Sequence, residues 1–400
     1  MAAAGERWPS GGVLPKAPVL GWRSFVPSRG PALPSIADLP HRAYTTSGRA
    51  ALLAALRQLA LPAGSPVLVP TYHCPTMVAP VLVAGLVPAF FPIGEDGLPL
   101  LDGIDAAVAA RARVMIAAQY FGLPSSLASL RRWCDARGIV LVEDCAHSYF
   151  GQAGERPIGT WGDFATASLS KFFPVAEGGI LVSAHRPLLP LGLQPSGLRS
   201  QLKAVLDVLE HSQGHGHLAG VSHMLAPLLW LKRRHSGAAH TGNSGDSGDA
   251  GTDAASMMAV CDMARVGQLP SVAALALHRW LPQAGIVARR RANYQALVHS
   301  LSTAAGARLL TPVLPDGAAP YVCPLLVEGP GRAQAVYARM RAAGLPVFRW
   351  DRIWPGTPSD PQDAGPVWSQ QLIQFLCHQN LDVADLQGVA RTTQALLRAH

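Results

Sequence analysis

The pattern of apolar and polar positions changes character several times along the chain. Residues 1–40 are rich in Pro and Gly with almost no periodicity, which predicts an extended arm that wraps a folded body or a neighbouring subunit. From 45 to about 185, short apolar or β-branched runs alternate with helical patterns. The runs are VLVP at 67–70, ARVMIAA at 112–118, IVLVED at 139–144 and GGILVS at 178–183; the helical patterns include RAALLAALRQLA at 49–60 and SLASLRRWCDARG at 126–138. Strands buried on both faces read as continuous apolar runs, so this alternation predicts βαβ units and a mostly parallel sheet between helices. Residues 186–235 read as mostly helical. The stretch SGAAHTGNSGDSGDAGTDAAS at 236–256 is small, polar and turn-rich, and it predicts a mobile loop because it cannot bury enough apolar surface to order itself. A helical segment comes next, from about 257 to 302. Beyond it, YVCPLLVEG at 321–329 and LPVFRW at 345–350 read as strands flanking the helix GRAQAVYARMRAAG at 331–344. The plan is therefore an arm over 1–40, a large α/β domain over 41–270 that includes the 186–235 insertion and the 236–256 loop, and a smaller α+β domain over 271–400. No internal repeat is visible.

Composition narrows the class of protein. Four hundred residues with 49% hydrophobic and 14% charged content exceed what one core uses, in keeping with two domains. Lys+Arg minus Asp+Glu, 33 minus 25, gives the net +8, but the basic residues are scattered. RRR at 289–291 and KRR at 232–234 are the only short runs, and no basic stripe interleaved with aromatics marks a nucleic-acid reader. The six cysteines, at 74, 134, 145, 261, 323 and 377, form no CxxC pair and no zinc spacing, which suits a reducing compartment and predicts no metal site. The first residues lack the basic and apolar regions of a secretory signal, and the longest apolar stretch, MLAPLLWL at 224–231, falls short of the roughly 20 residues a membrane span needs. A cytoplasmic protein without membrane or nucleic-acid partners is expected.

Only four of the basic residues are lysines, Lys16, Lys171, Lys203 and Lys232, so a lysine within an apolar stretch is informative. Lys171 is such a residue. In GDFATASLSKFFPVAEGGILVS at 162–183 a strand-like run leads straight into Ser170 and Lys171. Desolvating an ammonium is costly and lowers its pKa, which becomes useful if the amine must be neutral to attack an aldehyde; the alternative is a lysine snorkelling from a strand end to water. In IVLVEDCAHS at 139–148 an apolar run ends in two acids. At the carboxyl end of a strand in a doubly wound sheet, Asp144 would face the ligand crevice, or else cap the following turn. There it could pair with a protonated pyridine nitrogen. His147 could face the same ring, or be a structural hydrogen-bonding residue. In TTSGRAALLAAL at 45–56 a Ser-Gly turn opens an Ala/Leu-rich helix, whose free N–H groups and positive dipole end suit a phosphate, although Ser47 is also an ordinary N-cap.

The order and spacing of these three pieces resemble the aspartate-dependent, fold-type-I pyridoxal-phosphate enzymes. More narrowly, SGRAAL at 47–52, VLVPTYHCPTMVAPVLVAG at 67–85, AAQYFGLP at 117–124, VEDCAHSYFG at 142–151 and GDFATASLSKFFPVAEGG at 162–179 resemble the DegT/DnrJ/EryC1/StrS aminotransferase family. RRRANYQAL at 289–297 looks like that family's Arg-Arg-x-x-Tyr helix. The resemblance implies pyridoxal 5'-phosphate as cofactor, Lys171 as the Schiff-base lysine, and Asp144 as the partner of the pyridine nitrogen. It sets His147 near the phenolic oxygen, and it gives the phosphate to Ser47, Gly48 and Arg49 with help from the Ser168 hydroxyl. The family's aromatic cover on the cofactor comes from the segment matching TYHC at 71–74; the simplest register puts Cys74 there, which leaves Tyr72 or His73 to stack. The implied activity is transfer of an amino group from an amino-acid donor, glutamate or glutamine, to a keto acceptor on a nucleotide-linked sugar, in amino-sugar or polysaccharide biosynthesis, by a homodimer. Three departures stand beside it: the interval from Ser168 to Lys171 is short, no Asn-Tyr-Arg motif is recognisable between 235 and 265, and that same region carries the Gly/Ser/Asp loop instead. A dehydratase-like relative and a catalytically quiet binding or regulatory relative are the alternatives. The family's dehydratases carry histidine at the lysine position, so Lys171 favours transamination.

Overall fold

The structure is a computed structural model that describes residues 13–27, 29–30, 33–218, 220, 251 and 253–399. Chain order gives strands His41–Thr45 (β1), Pro66–Pro70 (β2), Val87–Phe91 (β3), Val114–Ala118 (β4) and Val140–Asp144 (β5), a short hairpin of Gln152–Ala153 (β6) and Arg156–Pro157 (β7), then Phe164–Ser168 (β8) and Gly179–Ser183 (β9). Seven of them form one sheet in the order β1-β9-β8-β5-β4-β2-β3. Only β9 runs against the rest. The apolar runs fill both faces by simple alternation. Leu68, Met115, Leu141 and Ala165 point into one core, whereas Val67, Val69, Val114, Ile116 and Val142 point into the other, where helices Gly48–Arg57 and Pro75–Val83 cover them.

This topology brings the carboxyl ends of β1, β5 and β8 to one edge, the place where open α/β sheets bind ligands. Close approach there depends on Gly179, where β9 opens. A Cβ on it would lie 2.2 Å from the Ser47 carbonyl oxygen, so a side chain would push the start of helix Gly48–Arg57 away from the sheet. Beneath that edge, the buried carboxylate of Glu143 accepts hydrogen bonds from Gln119 Nε2 (3.0 Å) and from the backbone N–H groups of Gly159 (3.2 Å), Trp161 (3.1 Å) and Gly162 (3.4 Å). It fastens the loop before β8 to β5.

A second, antiparallel sheet is built from Ala307–Leu309 (β10), Val322–Val327 (β11), Val347–Phe348 (β12) and Leu372–Leu376 (β13), in the order β10-β11-β13-β12. Helix Pro330–Ala342 packs on it, the long helix Gln283–Leu301 lies against β11, and helix Val383–Arg398 packs against both of these helices. β1, β3, β6, β7, β10 and β13 do not emerge from the sequence pattern. The helical segment expected over 257–302 is three helices, Ala254–Val260, Val272–Trp280 and Gln283–Leu301. Pro282 explains the last break, since the residue before a proline is driven to extended backbone and Leu281 has φ −73° and ψ 132°. Helix Val272–Trp280, assigned from sequence to the C-terminal domain, packs on the large one, where His278 Nε2 meets the Tyr149 hydroxyl at 2.5 Å and its ring lies 4.9 Å from Phe173.

In the 186–235 region the described helix is Leu198–Gly214; residues 221–235, and all of the 236–256 loop up to residue 250, lie outside the described residues. That loop ends sooner than expected, because Asp253 caps helix Ala254–Val260 through Ser256 N–H at 3.0 Å. Residues 1–12 of the expected arm are also outside the described set. Its later part runs along the C-terminal domain: Val19 N–H and C=O both pair with the Asn380 side chain (3.0 and 2.9 Å), and the Pro15 carbonyl meets His378 Nε2 at 2.9 Å. Among the described residues no helix is long and apolar enough to cross a membrane.

Removing the Glu143 carboxylate leaves several buried donors without acceptors. Glu143→Ala is expected to lower unfolding free energy by about 2–4 kcal/mol in a denaturant titration. An unchanged midpoint would show that the loop before β8 is held by other contacts.

Candidate active site

β8 ends at Ser168 and continues as a 3-10 turn, Leu169–Lys171, because Leu169, Phe172 and Phe173 are all buried and the N–H groups of Phe172 and Phe173 both return to the Leu169 carbonyl (3.0 and 2.8 Å). With those three side chains anchored in the core, the intervening Lys171 is left facing a cavity of about 640 Å³. The cavity opens over the carboxyl ends of β1, β5 and β8. Its walls include Thr46, Ser47, Gly48 and Arg49, then Cys74, Asp144, Ser168, Ser170 and Trp350.

Protein surrounds the Lys171 amine, and burial pulls its pKa below the ordinary lysine range, opposed by the negative charge available at Cys74 and Asp144. Its Nζ lies 5.3 Å from the centroid of the Tyr321 ring, within reach of a weak cation–π attraction. Asp144 sits at the last position of β5, with Oδ1 accepting the Ala146 N–H at 2.9 Å. Burial raises its pKa, while that hydrogen bond, the Lys171 charge and the Thr166 hydroxyl on the adjacent strand oppose the rise.

The start of helix Gly48–Arg57 supplies the cavity's anion-binding corner. Ser47 is its N-cap: the hydroxyl accepts the Ala50 N–H at 3.3 Å and the carbonyl accepts that of Ala51 at 3.0 Å. Gly48 and Arg49, at the first two helical positions where N–H groups have no partner within the helix, line the cavity. Gly48 is packed so that an added Cβ would lie 3.4 Å from the Ser168 Cβ, which keeps the corner narrow. Ser168 Oγ lies 3.3 Å from Ser170 Oγ. Arg49 is steadied by Asp262, through Nε to its carbonyl at 3.1 Å and Nη2 to Oδ2 at 3.5 Å. Thr46 donates its hydroxyl to the Arg265 carbonyl at 2.9 Å, and Arg265 Nη1 pairs with Glu177 Oε2 at 2.5 Å.

The structure thus brings Lys171, Asp144, Ser47, Gly48, Arg49 and Ser168 to one cavity, but not Tyr72 or His73. Tyr72 is drawn fully into the core between Trp350 (5.3 Å between centroids), Trp368 (5.3 Å) and Tyr120 (5.6 Å), with its hydroxyl accepting from Gln374 Nε2 at 2.9 Å. His73 stacks on Phe90 at 5.1 Å, donates from Nδ1 to the Pro70 carbonyl at 2.8 Å and accepts the Trp354 N–H on Nε2 at 3.0 Å. Burial pushes its pKa down to about 4, so it is neutral and structural. The next residue, Cys74, is the one on the cavity wall. His147 is also buried, its ring centroid 4.5 Å from that of Tyr321 and 4.6 Å from that of Trp350. Nδ1 accepts the Phe121 N–H at 3.4 Å, so the ring stands behind Trp350 and is not one of the cavity-lining residues.

The aromatic residue at the wall, Trp350, comes just after β12 in the second domain and carries no motif that marks it. Helix Leu198–Gly214 forms the far wall with Ser200, Lys203, Asp207 and His211, the Lys203–Asp207 pair spanning 2.6 Å. Among the described residues no cluster of His, Cys, Asp or Glu could hold a metal ion.

Similarity to known proteins divides the chain in the same way. Residues 35–188 match the DegT/DnrJ/EryC1/StrS aminotransferase family. The chain is 29% identical over 160 residues to UDP-N-acetyl-3-dehydro-alpha-D-glucosamine 3-aminotransferase of Acidithiobacillus ferrooxidans, covering 38% of this chain and 42% of that protein. It is 29% identical over 146 residues to GDP-perosamine synthase of Vibrio cholerae, covering 36% and 40%. It is 30% identical over 149 residues to L-glutamine:2-deoxy-scyllo-inosose aminotransferase of Streptomyces kanamyceticus, covering 36% and 35%. These alignments span about two fifths of the length of those relatives. Likeness in fold is wider: an aminotransferase of pseudoaminic acid biosynthesis from Helicobacter pylori superposes with a TM-score of 0.61 at 13% identity, over 91% of this chain and 88% of that one. An aminotransferase from Streptoalloteichus hindustanus gives 0.59 at 20% identity, over 90% and 86%. Residues 35–188, which carry Ser47, Asp144, Ser168 and Lys171, are thus similar to the DegT/DnrJ/EryC1/StrS aminotransferase family, and the fold of the chain is shared with solved aminotransferases.

Proposed function

We propose that this chain is a pyridoxal-phosphate-dependent aminotransferase that moves an amino group from an amino-acid donor, glutamate or glutamine, to the keto group of a nucleotide-linked sugar. The observation that carries the reading is the Lys171 amine, held below its ordinary basicity at a cavity whose other walls present Asp144 and a helix N-terminus. The residues fit the cofactor in chemical kind: an amine for the aldehyde, a carboxylate for the ring nitrogen, and hydroxyl, N–H and guanidinium donors for a phosphate. The acceptor class is supported by the relatives, whose names carry UDP-linked and dTDP-linked dehydro-sugars and inososes.

When bound, pyridoxal phosphate supplies an aldehyde that captures amines and a ring that withdraws electrons from the donor α-carbon. Lys171 is the residue that would hold the aldehyde carbon, through Nζ, and as a neutral amine the same Nζ would serve as the base that takes a proton from the donor α-carbon and as the acid that delivers one on the acceptor side. A lowered pKa raises the share of neutral amine at physiological pH, and both attack and deprotonation need that form. Asp144 holds positive charge on the ring nitrogen, and its own rise in pKa is countered by Ala146 and Thr166, which favour the carboxylate. Ser47, Gly48, Arg49 and Ser168 bind the phosphate and fix the ring's distance from Lys171. Tyr321 and Trp350 of the second domain limit water around the amine.

We further propose that the enzyme works as a homodimer in the cytoplasm. Leu198, Leu202 and Val272 are exposed apolar residues, and Leu198 and Leu202 lie one helical turn apart on the helix that forms the cavity's far wall.

With glutamate or glutamine as donor, Lys171→Ala is expected to slow the donor half-reaction by a factor on the order of 10²–10⁴, read as conversion of the cofactor's visible band in a stopped-flow trace. Asp144→Ala should slow the same step on the order of 10²-fold or more while leaving the fold intact. Donor turnover by Lys171→Ala at the wild-type rate would remove the aminotransferase reading. Light scattering after size exclusion should give twice the 42.1 kDa chain mass; a single-chain mass at micromolar concentration would rule out the dimer.

A further inference from the structure

Arg290 is the buried charged group for which the cavity alone gives no account. It lies within helix Gln283–Leu301, and its side chain is 0% exposed. No carboxylate among the described residues forms an ion pair with it. Its guanidinium lies over the Phe172 ring at 4.4 Å and spends its donors on uncharged oxygens: Nη2 on the Lys171 carbonyl at 2.6 Å, Nη1 on the Pro320 carbonyl at 3.2 Å and Nε on Gln379 Oε1 at 3.1 Å. Gln379 in turn donates Nε2 to the Phe172 carbonyl at 2.8 Å. Burying a cation without a counter-ion is costly, and an apolar residue would serve helix packing better, so the charge has a use beyond packing.

The turn supplies that use. Leu169–Lys171 is a three-residue 3-10 turn, and a helix end leaves its last carbonyls without partners. The carbonyls of Lys171 and Phe172 are taken by Arg290 and Gln379, which come from a helix and a loop later in the chain, flanking the second sheet. A Lys171 backbone gripped in this way cannot rotate about the end of β8, and the direction in which its side chain leaves the main chain is fixed.

We propose that Arg290 is the positioning residue of Lys171: by holding the Lys171 carbonyl, with Gln379 holding that of Phe172, it determines where the Lys171 amine enters the cavity. The inference deepens the reading of Lys171 as the cofactor lysine, but it concerns the free amine and is testable without cofactor. Asp144, Cys74 and Tyr321 lie around the amine, and His147 stands behind them, near enough for the Lys171 charge to add to the lowering of its pKa by burial; none of the four is itself changed by substitutions at Arg290 or Gln379.

The test is competitive acetylation of the cofactor-free full chain with trace acetic anhydride across pH, with peptide mass mapping to score Lys171 against the exposed Lys203 in the same sample. In the wild type Lys171 is expected to half-titrate below the ordinary lysine range. Arg290→Gln releases the Lys171 carbonyl and loosens the turn, which is expected to push the half-titration of Lys171 to higher pH. Arg290→Lys, which keeps the charge with fewer donors, should fall between the two. Gln379→Leu leaves the guanidinium in place and releases the Phe172 carbonyl, so a smaller upward shift is expected, and this variant decides the matter if Arg290→Gln does not fold. Lys171 profiles that superimpose on wild type in the folded variants, with only a lower melting temperature, would reduce Arg290 to a packing residue and overturn the proposal. Failure of the wild type to bind pyridoxal phosphate would instead strike the aminotransferase reading and leave the acetylation comparison standing.

Discussion

A lysine amine brought to the inner end of a buried strand loses hydration that its short side-chain surroundings do not replace, and its grip on a proton weakens accordingly. The chain accepts that cost at Lys171 by burying the residues on either side of it. Leu169, Phe172 and Phe173 anchor the turn so firmly that the lysine between them has one open direction, into the cavity. The reversed strand β9 returns at once beside β8, and its opening Gly179 lets the start of helix Gly48–Arg57 close over the same edge. Sheet topology therefore sets the amine, the Asp144 carboxylate and a helix N-terminus around one space, although their elements are far apart in the chain.

The second domain completes this arrangement. Tyr321 lies against the Lys171 amine, Trp350 forms part of the wall and covers His147, and Arg290 and Gln379 hold the main chain of the turn itself. The turn's polar groups are thus satisfied largely by residues from beyond residue 280, in keeping with a site between two layers where each alone would leave buried carbonyls or an exposed amine.

Much of this was readable from local sequence because its causes are local. Continuous apolar runs predict a parallel sheet, an acid at the end of such a run predicts a residue at the sheet's carboxyl edge, and a scarce lysine after a strand draws attention to itself. Ser47 leading into an Ala/Leu-rich stretch predicts a helix start. Where packing decides, the sequence is mute. Tyr72 and His73 stand next to Cys74 and are chemically better suited to stack on a ring, but the core takes both: Tyr72 into an aromatic cluster, His73 onto Phe90. Trp350, Arg265 and the wall of helix Leu198–Gly214 reach the cavity only through tertiary folding, and nothing in their neighbouring residues announces it. β13 was hidden for a related reason: Gln374 interrupts its apolar run and is buried because its amide reaches the Tyr72 hydroxyl.

The central claim is that Lys171 is the residue that carries the cofactor. The most direct measurement is to saturate the protein with pyridoxal phosphate, reduce it with borohydride and map the modified peptide by mass spectrometry. The account predicts a single stoichiometric adduct on Lys171, formed at low cofactor concentration and lost in Lys171→Ala. An adduct on Lys16, Lys203 or Lys232 with Lys171 unmodified, or no adduct at saturating cofactor, would contradict it.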